Sequence, residues 1–122
     1  MQWLLPWLFA CWQPLANLHR EAALTPLAAL TCAEIALRAP WYHVAPRDAV
    51  KQGYDESRFC RDAVGPGRAQ GALQAKIQYW KGAWKGDHIG AGLTAIRYYQ
   101  RTSGRCWWHR YTGRAKSCTL SK

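Results

Sequence analysis

Apolar positions recur with a helical period over two stretches of the chain. From Ala72 to Lys85, Leu73, Ile77, Trp80 and Trp84 fall at i, i+4, i+7 and i+11, which predicts an amphipathic helix flanked by Lys76, Lys81 and Lys85. Over residues 25–38, Leu27, Leu30 and Leu37 lie near one helical face, and Ala33 and Ala36 leave room for close approach. Thr25 suits the N-cap of that helix, Pro26 its first position and Arg38 the negative end of its dipole, and Pro40 ends it. Residues 3–12 are apolar on every side and are interrupted by Pro6. That run is too short to span a bilayer as a helix, which takes about 20 residues. It reads as an arm, with Trp3, Trp7, Phe9 and Trp12 buried in a partner or laid on a membrane surface.

Between these stretches the pattern breaks down. Pro40, Pro46, Gly53, Gly65-Pro66-Gly67 and Gly71 punctuate residues 40–72 and argue against long regular elements there, apart from a short helix within 54–63. From Ile89 to Tyr111, aromatic pairs flanked by arginine surround Gly104-Arg105, which reads as a turn between two short strands. The predicted fold is therefore a small single α+β domain. It has an apolar N-terminal arm (1–20), a helix and irregular linker region (21–71), and a basic helix with a small antiparallel sheet near the C-terminus (72–122).

Charge sharpens this division. The net charge is +10, and residues 1–62 carry six basic and six acidic side chains, whereas residues 63–122 carry eleven basic ones and the single acid Asp87. The excess lies wholly in the second half and implies an acidic partner. Arginines interleaved with Tyr98, Tyr99, Trp107 and Trp108 suit either a protein interface or contact with RNA, although no RNA-binding signature accompanies them. Five cysteines without a C-x-x-C pair read as mostly reduced, buried thiols, with one bridge possible.

Catalytic chemistry is hard to find in the linear sequence. Asp55 and Glu56 are adjacent in a charged segment and read as solvated side chains. Cys106 and His109 would point to opposite faces of a strand. The glycines form no nucleotide-binding loop, and the cysteines and histidines lack the paired spacing of a zinc site. No catalytic residue, metal or cofactor is expected on these grounds.

The segment Ile89–Tyr111 resembles the NADH dehydrogenase [ubiquinone] 1 alpha subcomplex subunit 12 family, the accessory subunits and assembly factors of mitochondrial complex I. The resemblance rests on Ile89-Gly90, Arg97-Tyr98-Tyr99-Gln100, Gly104-Arg105, Trp108 and Tyr111, while Gly92 and Ala95-Ile96 depart from the family pattern. It implies a non-catalytic subunit on the matrix side of the mitochondrial inner membrane, held among other subunits of a large assembly. Trp80, Trp84, Arg97, Tyr98, Tyr99, Arg105, Trp107, Trp108 and Tyr111 would then make the partner contacts, with the N-terminal arm near the membrane surface. An assembly factor, or an RNA-contacting protein of a mitochondrial ribosome-like particle, is the alternative.

Overall fold

The computed structural model describes residues 26–113. The apolar arm, with Trp3, Trp7, Phe9 and Trp12, and the N-cap assignment of Thr25 lie outside the described residues.

Among the described residues, five α-helical segments and one small hairpin make up the fold: α1 (Pro26–Arg38), α2 (Pro46–Ser57), β1 (Ala69–Gln70), β2 (Ala75–Lys76), α3 (Lys81–Trp84), α4 (His88–Ser103) and α5 (Trp107–Tyr111). Short 3-10 turns follow α1, precede β1 and join α4 to α5. Helix accounts for 68% of the described chain, so the expected α+β fold with a C-terminal sheet is overturned. The segment expected to form strands is instead the 16-residue helix α4, a 3-10 turn at Gly104–Cys106, and α5. The reason is a competition between patterns. Its small residues at 90–95 bury as one helical face, with Ile89, Leu93 and Ile96 in the core, and that face outweighs the β preference of the paired aromatics.

Two further expectations change for related reasons. The stretch 72–85 is not a continuous helix. Leu73 is buried in the turn between β1 and β2, and only Lys81–Trp84 is helical. Pro46 does not prevent a regular element. It occupies the first turn of the 12-residue α2, where a missing N–H is harmless. In α1 the leucine stripe faces outward: Leu27 and Leu30 are exposed, whereas Cys32, Ala33, Ile35 and Ala36 are buried. Small side chains bring α1 against α2 more closely than leucine would allow.

Helix α2 ends in a sharp reversal. Arg58 and Phe59 both take left-handed φ, +55° and +62°, and their amides donate to the carbonyls of Tyr54 and Gly53. Two consecutive non-glycine residues in this region are costly. The return is burial of Phe59 in the central core with Ile35, Leu73, Leu93 and Ile96. The β1–β2 hairpin then lies over α4, where Leu73 meets the bare backbone of Gly92. A Cβ added at Gly92 would collide with three atoms of the Leu73 side chain.

Arg38 ties the end of α1 to the start of α4. Its guanidinium donates to both carboxylate oxygens of Asp87 at 2.9 and 2.8 Å, and Asp87 in turn accepts from the Gly90 amide as the N-cap of α4. The Arg38 guanidinium is the main cause holding the Asp87 carboxyl below its usual range. A depressed carboxyl pKa stabilises the fold above the unfolded value, and that stability is lost as pH falls through the folded value.

Two outcomes are expected. Asp87→Ala should cost about 1 kcal/mol for the cap and roughly 0.5 kcal/mol for the half-exposed pair after solvent screening. The difference from wild type in thermal melts should shrink as the pH drops below the ordinary carboxylate range. A difference that persists unchanged in strong acid would disprove the linkage. Separately, Gly92→Val should lower stability by about 1–3 kcal/mol in urea titrations by forcing the hairpin off α4.

Candidate functional site

The hairpin, the last turn of α2, the middle of α4 and the end of α5 enclose a cleft of about 330 Å³. This lies at the lower end of the range for small-ligand sites. Glu56 is the one carboxylate among the described residues that line it. The cleft also contains Gln74 and Lys76 of the hairpin, Tyr79 and Trp80 beyond it, Tyr99 of α4, and Arg110 and Tyr111 of α5. A second hollow of about 410 Å³ beside Trp84 is larger, but it lies open to solvent. Its lining of Arg68, Ile77, Gln78 and Trp84 carries no acid.

Each wall of the cleft is fixed by a specific contact. Glu56 stands in the last turn of α2, one residue before Ser57. The Ser57 hydroxyl donates to the Ala72 carbonyl at 2.6 Å and accepts from the Cys60 amide, so the end of α2 is fastened to the hairpin. Gln52, one turn earlier on α2, is fully buried and donates its amide N–H to Glu56 Oε1 at 2.8 Å. Tyr111 donates its hydroxyl to the Leu73 carbonyl, which carries α5 back to the same hairpin. Burial, followed by the nearby Glu56 charge, pushes the Tyr111 hydroxyl well above the usual phenol range, so it remains a neutral donor. The Gln74 amide donates to the carbonyls of Ala63 and Gly71, and its oxygen lies where a side chain at position 65 would stand.

Aromatic rings line the approach to Glu56. Trp80 meets Tyr99 edge-on at 6.3 Å between ring centres, and Tyr99 meets Tyr111 at 6.0 Å. Tyr98 closes the cluster from outside, 5.4 Å from Tyr99 and 5.8 Å from Trp80. Tyr79, at the rim, is 69% exposed and leaves a ring face available to a ligand.

The residues that the sequence pattern marked for partner contact are divided among several tasks. Trp80, Tyr99 and Tyr111 line the cleft, and Tyr98, 52% exposed, backs it. Trp107 packs on the main core. Trp108 clasps α5 to α2: its ring nitrogen donates to Asp55 at 3.3 Å, and the Lys51 ammonium sits 4.3 Å from its ring centre. Trp84, Arg97 and Arg105 are exposed, and Arg97 reaches the His43 carbonyl at 3.5 Å. The motif residues therefore do not form one surface.

Cys32 and Cys106 are disulfide-bonded, within the expectation that allowed one bridge, and Cys60 is an exposed free thiol; Cys11 and Cys118 lie outside the described residues. Among the described residues no cluster of three His, Cys, Asp or Glu side chains could hold a metal. None of the described helices is long and apolar enough to cross a membrane. Glu56, Gln52 and Gln74 went unmarked in the sequence. Gln52 and Glu56 stand at i and i+4 on a helical stretch, a spacing that permits contact. What separates them from a solvated pair is the burial of Gln52, which depends on the helices around it. No known family, curated protein or solved structure matches this chain.

Tyr111→Phe tests how the cleft is held. Removing the hydroxyl leaves the Leu73 carbonyl without its donor and should cost roughly 1–3 kcal/mol in urea unfolding. A variant as stable as wild type would mean that α5 is held by its other contacts alone.

Proposed function

We propose that this protein cleaves glycosidic bonds in an anionic glycan built of 2-acetamido sugars, the chemistry of a bacterial cell-wall glycan strand, with Glu56 as its acid and base. The observation that carries this is Glu56, the one carboxylate among the described residues lining a cleft rich in aromatic rings, with one of its oxygens held by the buried Gln52 amide. Sugar rings present flat apolar faces that stack on Tyr and Trp, and their hydroxyl and amide groups meet the polar side chains between them. Lys76 and Arg110 in the same cleft suit an acidic polymer, as does the excess of positive charge in the second half of the chain. Disulfides at Cys32 and Cys106 favour an oxidising compartment, where such polymers lie.

The single acid constrains the mechanism. Most glycosidases use two carboxylates, one as acid and one as nucleophile or base. With Glu56 as the one carboxylate among the described residues that line the cleft, the second group comes from the substrate. Protonated Glu56 gives its proton to the glycosidic oxygen, the bond from that oxygen to the anomeric carbon breaks, and the alcohol leaves. The oxygen of the neighbouring 2-acetamido group closes on the anomeric carbon. Glu56, now a carboxylate, takes a proton from the incoming hydroxyl, which attacks the same carbon and reopens the ring. If that hydroxyl belongs to water, the product is a reducing sugar. If it is the sugar's own 6-hydroxyl, the product is an anhydro sugar lighter by one water, as in transglycosylase chemistry.

A second reading keeps the protein as a non-catalytic accessory subunit of respiratory complex I. It is favoured by Trp41 and Trp84, which are 78% and 65% exposed and would suit burial in a neighbour. Co-migration with NADH dehydrogenase activity on a native gel would support it.

The purified chain, incubated with cell-wall glycan, should release soluble fragments that mass spectrometry resolves as reducing or anhydro ends. Glu56→Gln should keep the fold and reduce the rate by roughly 10²–10⁴-fold. An inactive wild-type protein on both cell-wall glycan and acetamido-sugar oligomers would overturn the proposal.

A further inference from the structure

Gln52 is a buried polar side chain with an unusual balance of partners. It is 0% exposed, on the inner face of α2. Its Nε2 group donates to Glu56 Oε1 at 2.8 Å, while its own Oε1 is buried with no hydrogen-bond partner among the described residues. Buried amides are ordinarily satisfied at both ends. An unpartnered end costs stability, and an apolar side chain of the same length in this position would avoid that cost. The amide is therefore not explained by folding alone.

An amide can also answer a carboxyl group in either protonation state. A carboxylate only accepts, so Glu56 in its charged form needs the N–H end of Gln52. A carboxylic acid donates through its O–H, so protonated Glu56 needs the carbonyl end. Gln52 carries both groups on one planar unit. Rotation about its last torsion exchanges them without moving the backbone, and this torsion is broad and roughly two-fold. The end left facing the core is unpartnered in either state. That accounts for the orphaned oxygen without appeal to a missing group.

We propose that Gln52 is the positioning residue for Glu56, holding the carboxyl in the same place in both protonation states by turning its amide through half a rotation at each proton transfer. The proposal rests on the reading of Glu56 as an acid and base, because only a group that changes protonation during turnover requires a two-faced partner. Ser57, the neighbour of Glu56, fastens the backbone to the hairpin, and Gln52 fixes the side chain. Among the described residues, the other titratable groups that line the cleft are Lys76, Arg110 and the phenols of Tyr79, Tyr99 and Tyr111, with Asp55 beside Glu56 on α2.

Gln52→Met keeps length and volume and removes both polar ends. It should melt at the wild-type temperature or higher, because the orphaned atom is gone. On cell-wall glycan it should lose roughly 10–100-fold in kcat with KM unchanged, since substrate contacts remain while the acid is no longer aimed. Wild-type kcat in this variant would overturn the proposal.

A second measurement requires neither a Gln52 variant nor activity. In the ¹⁵N-labelled wild-type protein, the Gln52 side-chain N–H₂ resonances should shift in one titration step between acid and neutral pH. The step should vanish in Glu56→Gln, in which Asp55 and the cleft phenols and cations are retained. Resonances that do not move, or that still move in Glu56→Gln, would overturn the pairing. If the wild-type protein cleaves no glycan, the functional reading fails and the resonance test alone decides whether Gln52 follows the protonation of Glu56.

Discussion

The close approach of Leu73 to Gly92 is the contact on which the rest of the structure depends. Leu73 is fully buried, and it can be so only because α4 presents no side chain at position 92. This brings the hairpin turn within reach of two other elements. The Ala72 carbonyl accepts the Ser57 hydroxyl from α2, and the Leu73 carbonyl accepts the Tyr111 hydroxyl from α5. Three helices thus meet at two consecutive peptide groups. Each bond satisfies a backbone acceptor that burial would otherwise leave unpaired.

The cleft is the space that remains when these helices are held at that hub. α2 cannot continue past Ser57 because Arg58 and Phe59 reverse the chain, and Phe59 fills the core that the reversal opens. Glu56 thereby stands in the last turn of the helix, near enough to Tyr111 to act on its hydroxyl, in a cleft that Tyr99 and Trp80 also line. The strained backbone and the orphaned amide oxygen of Gln52 both lie within a few residues of Glu56. Elsewhere the fold rests on the small-residue packing of α1 on α2 and the capped start of α4, with left-handed backbone also at His43 and Arg68.

The segment whose sequence resembles complex I accessory subunits looks different once it is folded. Its tyrosine pair was expected on a strand, where neighbours face opposite sides. On α4, Tyr98 and Tyr99 diverge by about 100°, and both remain in one aromatic cluster with Trp80. Trp108 and Tyr111 lie on the short helix α5, where one clasps α2 and the other holds the hairpin. Trp108 and Tyr111 are thus used within the chain, while Trp84, Arg97, Tyr98 and Arg105 remain exposed.

Local rules determined α1. Pro26 opens it, Arg38 closes it, and its periodic apolar residues are helical without help from any neighbour. The same rules set the excess of positive charge in the second half of the chain and the aromatic content around the cleft. They could not decide which face of α1 is buried, because Leu27 and Leu30 outrank alanine in hydrophobicity, whereas close helix packing selects for size. Nor could they decide between strand and helix for residues 88–103. The aromatic pairs favour one and the run of small residues the other, and only packing on Leu73 settles the matter. Glu56 shows the limit most plainly. In sequence it is one of two adjacent acids in a charged segment. Its neighbour Asp55 binds Lys51 and Trp108 on the outside of α2, while Glu56 turns toward a buried glutamine and a cleft. Adjacent helical positions differ by about 100°, and which of them meets water and which meets the site depends on contacts with residues 15 to 55 positions away in the chain.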